Sequence, residues 1–224
     1  MVPADEYSLG EKKDRRFVLQ QPVEISRFPV TNAEFRKFVA AEGYDQQAYW
    51  KSGWEVKCER NWTAPGSFTL RGFDAATQPV VRVSWYEASA FCEWLTATDG
   101  KYQYSLPEED LWEAAARGLQ GFRYSWGDTW YRGYCNSQRL LGRTSVVGTF
   151  PNTTSPCGAV DMTGNVWEWT SSLHERGRSG RVLRGGSWDH YSVDCSAWYR
   201  NYVTPGVRYV NFGFRLARTL RPGP

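Results

Sequence analysis

The sequence predicts a single α+β domain with little regular secondary structure, and three observations support this. Two capping-box sequences, each followed by apolar residues at helical spacing, predict two of an expected two to three short helices. Short apolar segments with period-two alternation predict small antiparallel sheets. Between them lie long, non-periodic stretches rich in Gly, Trp and Tyr, which are typical of ordered loops. The length of 224 residues suits one domain spanning 1–224.

The composition excludes several function classes. The net charge is only +3 and no block of Lys or Arg stands out, so nucleic-acid binding is not expected. No apolar run is long enough to span a membrane and no secretory leader precedes the domain, so a cytoplasmic protein is expected. Aromatic residues make up 16% of the chain. They fit a binding surface or a loop-rich fold held together by indole and phenol hydrogen bonds, and composition leaves both open.

The first half of the chain gives the clearest local signals. Residues 1–19 are polar and charged, which suits a hairpin or a lead-in from a longer, multidomain protein. Alternation over 23–29 predicts a strand. Thr31 and Glu34 then form a capping box that predicts a helix over 32–41. Residues 44–79 follow as a long ordered loop.

A second strand is predicted over 78–83, and Ser84 with Glu87 forms the next capping box. The helix that follows is expected to end near Asp99 and Gly100, with Cys92 on its buried stripe as a core thiol. A third helix is predicted from the Pro107 turn to Gly118, with acidic residues near its positive dipole end.

From Phe122 the helical signals vanish, and the most informative stretch is residues 161–169, DMTGNVWEW. Asp161, Asn165 and Glu168 supply side-chain oxygens within eight residues, and Gly164 allows a turn that a side chain would block. Such a cluster can surround a hard cation such as Ca²⁺. A turn followed by a core strand explains the same residues, so both interpretations stand on the residues alone.

Residues 161–169, together with RGGSW at 184–188 and GFRL at 213–216, resemble the signature of the formylglycine-generating-enzyme (sulfatase-modifying factor) family. The resemblance covers roughly residues 20–218. It implies a C-type-lectin-like fold with much ordered loop. It also implies a structural calcium ion held by the side chains of Asp161 and Glu168 and the carbonyls of Gly164 and Val166. The family's second calcium site is doubtful here, because the loop 137–147 that follows Asn136 contains no Asp or Glu.

The family's oxidases use two cysteines, five positions apart, to bind copper(I) and oxidise a substrate cysteine. The resemblance places His190 at the first of these positions and Cys195 at the second. Soft copper(I) selects thiolates, and one thiolate does not make the linear pair. We therefore expect no copper, no catalytic residues and no enzyme activity. His174 and His190 are also too few for a three-histidine iron site within this chain.

Residues 181–218 resemble the variable region of diversity-generating-retroelement target proteins, which share this fold. Framework positions include Trp188, Cys195, Tyr199, Arg200 and Phe214. Between them, residues 189–191, 193–194, 202–204 and 209–211 are all of the kinds that mutating the adenines of an asparagine codon produces. The predicted ligand-binding residues are Asp189, His190, Tyr191, Val193, Asp194, Ser196, Trp198, Asn201, Tyr202, Val203, Thr204, Tyr209, Val210 and Asn211.

Tyr, His, Asp and Asn on a rigid loop scaffold are typical of an adaptable binding surface. The favoured hypothesis is therefore a non-catalytic protein that binds an unknown protein or small-molecule ligand through this C-terminal surface. Three alternatives remain open: a tyrosine-rich solvated loop, an oxidoreductase with an altered His190/Cys195 copper site, and a regulatory family member that does neither.

Overall fold

The protein is described here from a computed structural model, which describes residues 1–174 and 180–221. The strands are β1 (Asp5–Leu9), β2 (Arg15–Leu19), β3 (Glu24–Ile25), β4 (Tyr102–Ser105), β5 (Trp167–Leu173), β6 (Arg181–Arg184), β7 (Asn201–Val203), β8 (Phe212–Phe214) and β9 (Ala217–Leu220). The helices are α1 (Asn32–Ala40), α2 (Trp54–Glu59), α3 (Trp85–Asp99) and α4 (Glu109–Arg117). Single 3₁₀ turns lie at Gln47–Tyr49, Gly66–Thr69 and Pro151–Thr153.

The N-terminal segment is the hairpin of the two alternatives that its sequence allowed. β1 and β2 pair antiparallel, from Asp5 opposite Leu19 to Leu9 opposite Arg15. Tyr7 and Leu9 are almost completely buried and belong to a core cluster with Trp112 of α4. The hairpin is therefore part of the domain and not only a lead-in to it.

Two further sheets organise the rest of the described chain. β9 lies between β3 and β4 in an antiparallel sheet, which joins the two ends of the domain. The second sheet has the order β7-β6-β5-β8. Its β5 and β8 run parallel, with Glu168 opposite Gly213, so the predicted purely antiparallel pairing is wrong for this strand pair. β5 and β6 pair antiparallel, with Glu168 opposite Arg184.

Both predicted capping boxes are confirmed. The Thr31 hydroxyl accepts from the Glu34 backbone N–H and the Glu34 carboxylate accepts in return at the start of α1. Ser84 and Glu87 make the same reciprocal pair at α3. α3 ends at Asp99 and is capped by Gly100, which adopts the left-handed conformation that a glycine allows without strain.

Four sequence-based element assignments differ from the structure. The strand predicted over 23–29 is reduced to β3, and residues 78–83 form no strand. Arg82 has φ +52°, which turns the chain out of an extended conformation, although the Val80 N–H still donates to Val30 O at 2.9 Å. The loop 44–79 contains the short helix α2, whose six residues are too few to give a periodic signal. The third helix begins at Glu109, so Pro107 precedes its cap.

The larger core cluster is rich in aromatic side chains, which come from α1, α3, β5 and β8. Phe35 of α1 stacks on Phe91 of α3 with ring centroids 5.2 Å apart, and Phe214 of β8 meets both rings edge-on. Trp169 of β5 is fully buried in the same cluster. Across the described residues, no helix is long and apolar enough to cross a membrane.

Candidate functional site

The motif at 161–169 forms a tight turn that leads into β5. Asp161, Gly164 and Asn165 all have positive φ, which glycine and asparagine tolerate better than most residues. The Asn165 carboxamide oxygen accepts from the Ser145 N–H at 2.9 Å and from the Asn136 amide at 3.2 Å. Its carbonyl accepts from the Trp188 N–H at 3.0 Å. Asn165 therefore connects the loop 137–147 to the start of the predicted binding segment. Its side-chain oxygen is occupied by these hydrogen bonds.

Glu168 has a different set of partners from those predicted. Its carboxylate is fully buried and accepts two hydrogen bonds from Arg215, Nε at 2.6 Å and Nη2 at 2.8 Å. A third comes from the Trp112 indole N–H at 2.5 Å. Arg215 also donates to the carbonyls of Ser26 and Val160. A buried guanidinium thus neutralises the carboxylate that was predicted to bind a cation.

Asp161 is buried beside this pair. Its Oδ2 accepts from the Gly148 N–H at 2.7 Å, and its Oδ1 lies 3.4 Å from the Thr153 hydroxyl. Burial raises the pKa of Asp161 from its ordinary value to about 6, although the Gly148 N–H and the Arg215 charge act in the other direction. Of the two carboxylates predicted to bind calcium, Glu168 forms an ion pair with Arg215, whereas Asp161 forms none within the described residues.

This donor set does not fit a calcium ion as it stands. Ca²⁺ needs several oxygens with free lone pairs, whereas both Glu168 oxygens are engaged by Arg215 and the Gly164 carbonyl accepts from the Val166 N–H. Within residues 1–174 and 180–221, no three His, Cys, Asp or Glu side chains are grouped to hold a metal. The calcium prediction is untested, and the geometry favours Arg215 as the partner of Glu168.

The doubt about a second calcium site has a structural counterpart. Asn136 Oδ1 and Ser145 Oγ are buried and have no hydrogen-bond partner in the described chain. Both are neutral oxygens, and the loop that carries Ser145 supplies no carboxylate. Two neutral oxygens alone are a poor site for a divalent cation.

A network of arginines and glutamates lies beneath the C-terminal segment, and of its arginines the sequence analysis named only Arg200, as a framework position. Glu113 of α4 is fully buried and accepts from Arg117 at 2.6 Å and from Arg184. Arg184 also donates to the carbonyls of Trp198 and Tyr199, at 2.8 and 2.9 Å. These hydrogen bonds hold the backbone of the predicted binding segment at residues 198 and 199. The signal that could have found the partners is the EExxxE sequence of α4, Glu108, Glu109 and Glu113.

The same pattern repeats at two further arginines. Arg200 makes a bidentate pair with Glu109, with both N–O distances at 2.6 Å. Arg208 donates to Glu87 at 2.6 Å and to the carbonyls of Arg82 and Ala64. Bidentate arginine pairs add geometric specificity. Three arginines of the segment, Arg184, Arg200 and Arg208, are therefore held by charge pairs whose acidic partners come from α3 and α4.

His190 and Cys195 are not arranged as a copper pair. The His190 ring is held at both nitrogens, with Nδ1 2.7 Å from Ser187 Oγ and Nε2 3.4 Å from the Trp167 indole nitrogen. Cys195 is fully buried, and burial raises the pKa of its thiol well above the usual value. A buried, protonated thiol is a poor soft-metal ligand or nucleophile. Cys92, predicted to be a core thiol, is also buried, which confirms that prediction.

Most of the predicted binding residues reach the surface. Tyr191, Val193, Tyr202, Thr204 and Tyr209 are exposed, with Tyr191 at 70%. Half-buried are Asp189, His190, Asp194, Trp198, Asn201, Val203, Val210 and Asn211. Ser196 is fully buried and its hydroxyl donates to the Val193 carbonyl, so its assignment to the surface was wrong. Among the predicted framework residues, Cys195 and Phe214 are fully buried, whereas Trp188, Tyr199 and Arg200 are half-buried.

The structure places the surface residues in two groups. One surrounds the Ser187 hydroxyl, which contacts His190 Nδ1 and, at 3.2 Å, the Asn211 amide, with Asp189 and Tyr191 alongside. The other lies on and after β7, where the Tyr202 ring packs on His174 with centroids 3.7 Å apart. Tyr209 rests edge-on against Phe212, 5.1 Å away.

Comparison with known proteins fixes the family. Residues 1–220 match the profile of the sulfatase-modifying factor enzyme 1-like domain. The chain belongs to this family. Among its sulfatase-modifying-factor relatives is a hercynine oxygenase of Mycolicibacterium thermoresistibile, 34% identical over 99% of this chain and 57% of that protein. Another is the inactive C-alpha-formylglycine-generating enzyme 2 of Mus musculus, 32% identical over 90% of this chain and 77% of that protein.

Solved structures of the same fold include Treponema denticola variable protein 1, with a TM-score of 0.71 and 23% identity, covering 99% of this chain and 94% of that one. PvdO from Pseudomonas aeruginosa has a TM-score of 0.76 and 23% identity, covering 96% and 92%. These likenesses confirm the predicted fold. The sulfatase-modifying-factor domain described here spans a little over half the length of the hercynine oxygenases that it matches.

Proposed function

We propose that this protein is a non-catalytic ligand-binding member of the family, and that its C-terminal surface is a diversified binding site. The observation that carries the proposal is a difference between two sets of side chains within residues 181–218, one anchored and one exposed. Arg184, Arg200 and Arg208 are tied to buried carboxylates, whereas five of the predicted binding residues are exposed: Tyr191, Val193, Tyr202, Thr204 and Tyr209. A surface whose side chains do not support the core can change without unfolding the protein.

The exposed side chains suit protein or small-molecule recognition. Tyrosine supplies rigid contact area at low entropic cost, and Asp, His, Asn and Thr add adaptable hydrogen bonding. Tyr191, Tyr202 and Tyr209 are all exposed, with polar residues between them. The solved variable protein of Treponema denticola has the same fold, which is consistent with this use of the scaffold.

The direct test is to sequence the genomic locus in its source organism. We expect a near-identical template repeat of the segment encoding residues 181–218 and a reverse-transcriptase gene nearby. Differences between the two copies should fall at adenines, in the codons of the predicted binding residues. A locus without a repeat, or differences spread evenly over framework and intervening codons, would contradict the proposal.

A second candidate is oxygenase activity, which the 34% identity to a hercynine oxygenase supports. The part of the chain that the structure describes offers no group of three metal-binding side chains, so the described residues do not support this candidate. Copper-dependent cysteine oxidation meets a similar obstacle at His190 and buried Cys195. We expect no formylglycine by mass spectrometry when the protein is incubated with copper and a cysteine peptide. Product that disappears in Cys195→Ser would establish the enzymatic alternative.

A further inference from the structure

An exposed apolar and basic surface lies beside the predicted binding residues and outside the variable segment. It consists of residues 131–132 and 139–146, and we call it the basic shelf. Tyr131, Leu140, Leu141 and Val146 are each between 43% and 48% exposed. A patch of exposed large apolar side chains such as this adjacent leucine pair is typical of a surface that another molecule covers.

Hydrogen bonds hold the shelf in one conformation. The Gln138 N–H donates to the His190 carbonyl at 2.9 Å, and the Arg139 N–H donates to the Trp188 carbonyl at 2.7 Å. Within the loop, the Leu140 N–H donates to Ser137 O and the Gly142 N–H to Arg139 O. The leucines are therefore presented by two consecutive turns that are fastened to the predicted binding segment.

Side-chain contacts make the two surfaces continuous. Arg139 forms an ion pair with Asp189, which raises the pKa of Arg139, and the Tyr191 hydroxyl contributes in the same direction. Arg132 and Leu140 line one small cleft, and Leu141, Arg143 and Val146 line a shallow cavity of about 390 Å³. A ligand that contacts Tyr191 would therefore meet the shelf.

The shelf is positively charged. From Thr129 to Val160 the sequence contains no Asp or Glu, whereas it contains Arg132, Arg139 and Arg143. Arg132 and Arg143 are exposed and have no ion-pair partner in the described chain. Unpaired surface cations attract an oppositely charged partner and raise its association rate.

We infer that the basic shelf is a fixed part of the binding site, and that the ligand is a protein whose contact surface combines acidic and large apolar side chains. The inference rests on the proposed function, because it names the partner class for the same site. A membrane surface fits less well, since Asp74 lines the same cavity as Arg143 and Asp189 forms an ion pair with Arg139. Those carboxylates interrupt the continuous cationic face that anionic lipid favours.

The probe for this inference is a phage-displayed library of random peptides, selected on the whole protein. We expect the enriched peptides to carry net negative charge and large apolar residues. A synthetic copy of the most enriched peptide should bind about tenfold more weakly to Leu140→Ser/Leu141→Ser and to Arg132→Glu/Arg143→Glu. Added salt should weaken its binding to the unmodified protein.

Matched controls are Leu119→Ser and Lys12→Glu, which change an exposed leucine and an exposed cation elsewhere and should leave binding unchanged. Peptides without an acidic bias, an empty selection, or binding that needs Tyr191 and Tyr209 but not the shelf would overturn the inference. The last of these outcomes leaves the proposed function standing. Binding that needs the shelf but neither tyrosine would support the shelf and contradict the variable-surface proposal.

Discussion

At the scale of single residues, a buried ion pair with Arg215 holds Glu168 of the signature motif. The family resemblance predicted Glu168 as a calcium ligand. In the structure its carboxylate accepts hydrogen bonds from Arg215, which lies 47 positions later. Sequence alone could not join these residues, because their contact depends on β5 and β8 lying side by side. Asn165 was likewise expected to offer an oxygen, and that oxygen instead binds the Ser145 N–H.

The variant Glu168→Gln tests this pair. It removes the negative charge while keeping the shape, and it leaves Arg215 buried without a counter-charge. We expect a loss of about 3–5 kcal/mol in the free energy of unfolding, measured by urea denaturation. Glu24→Gln, which breaks a partly exposed pair with Arg218, should cost less than about 1 kcal/mol.

A separate measurement on the unmodified protein tests calcium. If Arg215 is the partner of Glu168, a calcium chelator should leave the melting temperature of the unmodified protein unchanged. A melting temperature that falls with the chelator and recovers with calcium would restore the calcium prediction, because a ligand that binds only the folded state stabilises it.

Asp161 gives a pH dependence with a definite sign. Its folded pKa of about 6 exceeds its ordinary value of 3.8, so between these pH values the folded protein binds more protons than the unfolded chain. The stability that Asp161 contributes is thus complete below about pH 3.8 and is lost as the pH rises through 6. The full effect is about 3 kcal/mol.

Urea unfolding between pH 4 and pH 7.5 measures this dependence. Asp161→Asn keeps an acceptor for the Gly148 N–H and suits the positive φ, so it should flatten this part of the stability profile. If the variant and the unmodified protein show the same slope, Asp161 is not the group that titrates.

At the scale of secondary-structure elements, local chemistry was the reliable guide. The two capping boxes and the terminal Gly100 and Gly118 fixed the starts or ends of α1, α3 and α4 from sequence. The elements that the sequence analysis missed or misassigned were those without a capping box or a terminal glycine. α2 begins after Gly53 without a side-chain cap. Residues 78–83 contain three valines, as a strand would, but include a left-handed residue at Arg82.

The two capping boxes should differ in strength. Ser84 and Glu87 are fully buried, and Glu87 also accepts from Arg208 and Tyr44, so Ser84→Ala removes one bond from a buried network. We expect it to cost about 2 kcal/mol, against about 1 kcal/mol for Thr31→Ala at the more exposed start of α1. Equal losses in thermal unfolding of the two variants would show that burial of the network adds nothing.

At the scale of the whole molecule, the sequence predicted which side chains of residues 181–218 are exposed better than it predicted how this segment is held. The pattern within 181–218 correctly placed Tyr191, Tyr202 and Tyr209 outside and Cys195 and Phe214 inside. It misplaced Ser196, whose hydroxyl turns back to the Val193 carbonyl. It could not predict the glutamates of α3 and α4 beneath the face, since ion pairs between distant segments leave no local pattern.

The central claim is that the framework folds without help from the intervening side chains. Changing Tyr191, Tyr202 and Tyr209 together to Asn tests it most directly, with the melting temperature as the measurement. Tyr7→Asn and Tyr44→Asn are the matched controls, because those tyrosines are almost fully buried and should cost several kcal/mol each. We predict that the triple variant melts within a few degrees of the unmodified protein and far above either control. A triple variant that melts as low as the controls would make the three tyrosines part of the core and contradict the account.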